Sequence, residues 1–151
     1  MLNRRHLRVR VLQTLYAYQA SEIKEVPKFE KSLLDSIDQV YAMYIWALNL
    51  LDEVADYVLV DAEERANKFL PEADDLQADV KLATNTFVLS LRANEDYVQG
   101  LKKYKVAWNL DPEIVREVFG RLKTSAEYAA YLRQQDRSIS AEKDSIQYIF
   151  K

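Results

Sequence analysis

The chain has 151 residues, 49% of them hydrophobic, only five Gly or Pro, no cysteine, one histidine and a net charge of −3. That length and apolar content suit one domain with a sizeable core and exclude a disordered chain. The missing cysteines exclude a disulfide framework and thiolate chemistry, and the single histidine excludes a His–His metal pair or the twin Glu-x-x-His arrangement of helical di-iron proteins.

The few turn residues, with many Leu, Ala, Glu, Lys and Arg, favour an all-α helical bundle over residues 1–151. The only glycines, Gly100 and Gly120, are isolated in helical patterns, so there is no Gly-rich phosphate loop. Carboxylate pairs such as Asp52/Asp56 and Asp74/Asp75 read as solvated faces or loops. No catalytic, metal or cofactor site follows, and the chain reads as a non-enzyme. Its longest uncharged apolar run, residues 39–51, is too short to span a bilayer. The N-terminus lacks the apolar segment of a secretory signal. These features suit a cytoplasmic protein.

The charge is uneven. Arg4, Arg5, Arg8 and Arg10 give residues 1–21 a charge of +4, and the first acid is Glu22, which leaves −7 on the rest of the chain. Any polyanion contact should therefore focus on the N-terminal helix. Asn3 suits an N-cap for a helix ending near Ser21. Leu7, Val11, Leu15 and Tyr18 form one apolar stripe, and Val9, Leu12 and Tyr16 form a second. A helix apolar on two sides is usually central in a bundle. His6, Arg10 and Gln13 share the third side, while Arg4 and Arg8 stack one turn apart.

Pro27 opens a second helix. Leu33, Ile37, Val40, Tyr44, Ala47, Leu51, Val54 and Val58 follow a 4-3 spacing, beside Leu34, Tyr41, Ile45 and Leu48. This predicts a helix of about 40 residues, its stripe buried in the monomer or used as a homodimer seam. Asp61-Ala62-Glu63-Glu64 suggests a break, and Pro71 with residues 72–75 an end. Tyr16, Tyr18, Tyr41 and Tyr44 are expected to pack the first two helices together. Residues 76–86 have no clear period. Phe87, Leu91, Val98 and Leu101 continue a helical pattern interrupted at Asn94. Lys102, Lys103 and Lys105 read as a basic helix C-terminus. Asp111 and Pro112, after Asn109 and Leu110, start a helix. Thr124-Ser125-Ala126-Glu127 fits a capping box for the next, and Ser140 a cap for the last. The amphipathic pattern of Ile146, Ile149 and Phe150 is cut short at Lys151, so the chain is expected to be the N-terminal part of a longer protein.

Arg4-Arg5-His6-Leu7-Arg8, followed by Val11-Leu12-Gln13-Thr14-Leu15-Tyr16 and Gln19-Ala20-Ser21, resembles the first helix of the NusB family of bacterial transcription antitermination factors. Arg4, Arg5 and Arg8 match the family's arginines, and Gln13, Leu15 and Tyr16 its Gln-x-Leu-Tyr. His6 stands where the family often has arginine, and Leu7 replaces a small residue. The resemblance covers about the first 20 residues. It implies an all-helical fold and a basic helix, residues 1–21, that contacts single-stranded boxA RNA. It also implies partnership with the ribosomal protein NusE in a transcription elongation complex. The remainder resembles a longer NusB form with a helical insertion. RNA contact is expected at Arg4, Arg5, His6, Arg8 and Arg10. Two other readings stand beside this one. The chain could be a helical protein–protein interaction module, its basic helix docking on acids. It could also be the accessory RNA-binding domain of an RNA methyltransferase.

Overall fold

The computed structural model describes residues 3–70, 79–107 and 111–150. Among these residues the chain is all-α, with no strand. The helices are α1 (Arg4–Ala20), α2 (Val26–Ala66), α3 (Thr86–Arg92), α4 (Glu95–Tyr104), α5 (Pro112–Lys123), α6 (Ala126–Arg133) and α7 (Ile139–Ile149). The chain divides into two compact units, Met1–Ala47 and Leu48–Lys151. The division falls inside α2, so no Gly- or Pro-rich linker marks it in the sequence.

In the first unit, Asn3 caps α1 by accepting from the Arg5 N–H at 3.2 Å, and Ser21 closes the helix with its N–H on the Ala17 and Tyr18 carbonyls. α2 begins at Val26 with Pro27 in its first turn, where a missing N–H costs nothing. Tyr18 stacks edge-on against Phe29, with ring centroids 5.3 Å apart and planes at 85°. Of the four tyrosines expected to join these helices, Tyr18 does so. Tyr16 is 76% exposed, and Tyr41 and Tyr44 pack on each other at 6.5 Å while staying 39% and 47% exposed. No residue of α1 is buried. Its first stripe lies toward α2, but Leu12 of the second stripe is 65% exposed. A helix central to a bundle would have buried both stripes; here neither is buried, Leu15 of the first being 57% exposed.

In the second unit, α2 runs through residues 61–64 without the anticipated break. Asp61 does not cap a new helix. Its carboxylate accepts from Lys123 Nζ at 2.8 Å and lies 4.0 Å from Arg65. The core joins Val54, Ala55 and Val58 of α2 to Leu82, Val88 of α3, Val115, Phe119 and Leu122 of α5, Tyr128 and Tyr131 of α6, and Ile146 of α7. Phe119 bridges Tyr57 and Tyr128 at 5.4 and 6.5 Å. Tilted and edge-on rings of this kind add to the burial energy.

The junctions explain the order of these helices. Residues 81–85 form a turn whose buried Asn85 caps α3, its Oδ1 accepting from the Phe87 and Val88 N–H groups. The Asn85 amide donates to the Tyr131 hydroxyl at 3.0 Å, which ties α3 to α6. Lys81 donates to the C-terminal carbonyls of Tyr131 and Gln134, where the helix dipole favours a cation. Asn94 separates α3 from α4 and caps the latter. Pro112 opens α5, although the Asp111 side chain makes no capping bond. The α6 cap is Ser125, accepting from the Tyr128 N–H, while Thr124 bonds back to the Arg121 carbonyl as α5 ends. Ser138 rather than Ser140 caps α7. Pro71, Glu72, Ala73, Asp74, Asp75, Leu76, Asn109, Leu110 and Lys151 lie outside the described residues.

Candidate nucleic-acid interface

The four arginines and His6 singled out in the sequence all fall on the first two turns of α1. Arg4, Arg5, His6 and Arg8 are exposed and Arg10 is half-buried. At about 100° per residue they do not share one face. Arg4 and Arg8 lie one turn apart on one side of the stripe that meets α2. His6 and Arg10 lie one turn apart on the other side. Arg5 points to the outer face between the pairs.

The local electrostatics are unfavourable to the isolated helix. Its first turn holds no acid, and the cations sit at the positive end of the helix dipole. Each is of the sign that costs roughly 0.3–1 kcal/mol there, and like charges one turn apart repel by a few tenths more. Among the described residues, Arg4, Arg5, Arg8 and Arg10 form no ion pair. A polyanion laid on this end would relieve both penalties and would meet guanidinium groups suited to bidentate phosphate contact.

The seam between α1 and α2 leaves a recess on each side. One is an apolar groove of about 420 Å³, walled by Val11, Leu15 and Tyr18 of α1 and Val26, Phe29 and Leu33 of α2. The other is a polar cleft of about 220 Å³, lined by Arg10, Gln13, Thr14, Phe29, Ser32 and Ser36, with Ala17 beside them. Arg10 thus belongs to the cleft, apart from Arg4 and Arg8. Sequence reasoning missed Ser32, Ser36 and Phe29. The available signal was the pair of serines one turn apart on an otherwise amphipathic helix.

In the second unit the Asp52/Asp56 pair is no open acidic face. Arg92 bridges it, Nε to Asp52 and one terminal nitrogen to Asp56, each at 2.6 Å. Burial pushes the Tyr97 hydroxyl up to about 12, and the Asp52 and Glu53 charges add to this while the Asn49 amide offsets part. Burial and the neighbouring Asp52 and Asp56 raise Glu53 in the same way, against Arg92. Arg92 thus pairs both carboxylates internally, while the buried Asn49 Oδ1 beside them has no hydrogen-bond partner among the described residues. Among the described residues there is no cluster of His, Cys, Asp or Glu able to hold a metal ion, and no helix is long and apolar enough to cross a membrane. No family model, no curated protein and no solved structure matches the chain.

Proposed function

We propose that this chain is a NusB-like antitermination factor that binds boxA-type single-stranded RNA through the N-terminal end of α1. NusE is its partner in the transcription elongation complex. The observation that carries this reading is the set of arginines on the first two turns, Arg4, Arg5 and Arg8 exposed and Arg10 half-buried, without an acid in the first turn and without an ion pair among the described residues. Arg4, Arg5 and Arg8 hold phosphates. Phosphate contacts of this kind position an RNA without reading its sequence. His6 and Arg10 approach the strand from the other side of the helix. The uneven charge supports this focus, since the remaining −7 discourages binding elsewhere.

The test is a fluorescence anisotropy titration of a boxA-type RNA and a scrambled RNA, with and without NusE, against the chain and its Arg4→Glu/Arg5→Glu/Arg8→Glu form. The reading expects tighter binding of the boxA RNA and its loss in the triple variant. Equal binding by the triple variant would remove it.

A second reading, a helical interaction module, draws on a different observation. Leu12 and Tyr16 leave an apolar stripe on α1 exposed at 65% and 76%. Retained capture of a protein partner by the triple arginine variant, without RNA binding by the unaltered chain, would favour it.

A further inference from the structure

We infer that the polar cleft between α1 and α2 takes one unstacked nucleobase of the bound RNA, with a carbonyl-bearing base (guanine, uracil or cytosine) preferred over adenine. This rests on the RNA-binding reading above and adds to it the element that phosphate contacts lack, a place where sequence is read.

The cleft adjoins the basic end of α1, because Arg10 is at once a member of the cationic cluster and part of the cleft wall. Its volume of about 220 Å³ corresponds to roughly seven water molecules at ~30 Å³ each, the scale of one heterocyclic base. Single-stranded RNA is read in this manner, by splaying a base onto an aromatic ring and bonding its edge. The ring here is Phe29. Tyr18 packs edge-on against it and so fixes its orientation before any ligand arrives.

The polar groups are suited to a base edge. Thr14 and Ser36 spend their hydroxyl protons on the carbonyls of Arg10 and Leu33, at 3.0 and 2.8 Å. Both oxygens therefore remain as acceptors only. Gln13 and Ser32 make no hydrogen bond through their side chains among the described residues. Each can donate and accept. Arg10 in the cleft wall, able only to donate, favours a base with a carbonyl oxygen, which guanine, uracil and cytosine present and adenine does not. The opposite recess, walled by Val11, Leu15 and Val26, offers a base edge almost nothing to bond.

The experiment titrates a single-stranded RNA, in intact form and with an abasic site at each position in turn, with NusE present throughout. The proteins are the unaltered chain, Ser32→Trp, Arg10→Ala and Arg4→Glu/Arg8→Glu. Ser32 is exposed, so its replacement fills the cleft without entering a core, and circular dichroism checks that the helices persist. One abasic position is expected to weaken binding to the unaltered chain about tenfold, the scale of one base–aromatic stack. Ser32→Trp should weaken intact RNA by a similar factor and lose the penalty at that position. Arg10→Ala should narrow the preference between uracil and adenine there. Ser32→Trp binding intact RNA as tightly as the unaltered chain, or no abasic position mattering, overturns the cleft inference. If Arg4→Glu/Arg8→Glu also binds normally, the RNA-binding reading itself has failed. If only the cleft variants bind normally, that reading survives and the cleft inference alone falls.

Discussion

Arg137 donates from Nε to Glu142 Oε1 at 2.8 Å, and the Glu142 carboxylate it meets has no solvent exposure at all. The other Glu142 oxygen accepts from the Thr86 N–H at the start of α3, and the Arg137 guanidinium reaches on to the Thr84 carbonyl at 2.7 Å. One buried acid thus ties α7 and the segment before it to α3. Burial alone would raise its pKa. The Thr86 and Arg137 contacts outweigh that and hold the carboxyl below its ordinary value of 4.5.

This fixes the sign of an acid response. A carboxyl depressed in the folded state adds stability above its unfolded pKa, and that stability is lost as pH falls through the lower folded value. Stability of the unaltered chain should decline below pH 4.5, more steeply than in Glu142→Gln. Arg137→Ala leaves the carboxylate buried with one partner fewer. Because Arg137 is 45% exposed, the cost should be about 2 kcal/mol, below the 3–5 of a fully buried pair. Urea unfolding between pH 3 and 7 measures both; identical pH profiles for the chain and Glu142→Gln would refute the role.

Tyr97 gives the opposite sign at the other end of the scale. Its hydroxyl accepts from Asn49 and donates to Asp52, each at 3.2 Å, and its pKa is raised to about 12. Stability from a raised group is complete below the unfolded value near 10 and is lost as pH rises through 12. Burial also raises Tyr57, Tyr128 and Tyr131, so an ultraviolet tyrosinate titration should show several late-ionising groups, one fewer of them in Tyr97→Phe. A titration curve unchanged in shape by that substitution would show that Tyr97 ionises like a surface tyrosine.

How much of this was legible in the sequence differs from element to element. Asn3 and Pro112 mark helix starts and Asn94 an interruption, because capping and proline geometry are local. Thr124 and Ser140 were the wrong hydroxyls by one and two residues, since the choice among neighbouring caps depends on the backbone turn entering the helix. The continuity of α2 past Asp61 was hidden because Lys123, 62 residues away, engages that carboxylate. Nothing in the sequence singles out Glu142, since its Thr86 partner lies 56 residues away. The cations of α1 were plain in the sequence. Their division between two sides follows from helix periodicity, but the cleft beside Arg10 needed the positions of Ser32 and Phe29 on a second helix.

The second apolar stripe of α1 makes a further prediction. Leu12→Ser and Tyr16→Ser should each change the unfolding free energy by no more than about 0.5 kcal/mol, the range of surface substitutions. Both side chains are largely exposed, at 65% and 76%. Thermal unfolding measures this at several protein concentrations. A loss of 2 kcal/mol or more, or a concentration-dependent effect, would show that the stripe is buried in solution.

The most direct test of the central claim is the salt dependence of RNA binding. Each phosphate held on a single strand contributes about −0.7 to the slope of log K against log salt concentration. Replacing Arg4 and Arg8 by alanine should make that slope shallower by about 1.4, if each holds one phosphate. The same variant should unfold no earlier than the unaltered chain, because both residues are exposed cations at the unfavourable end of the helix dipole. An unchanged slope with intact folding would contradict the account, since phosphate contact at the N-terminal end of α1 is its foundation.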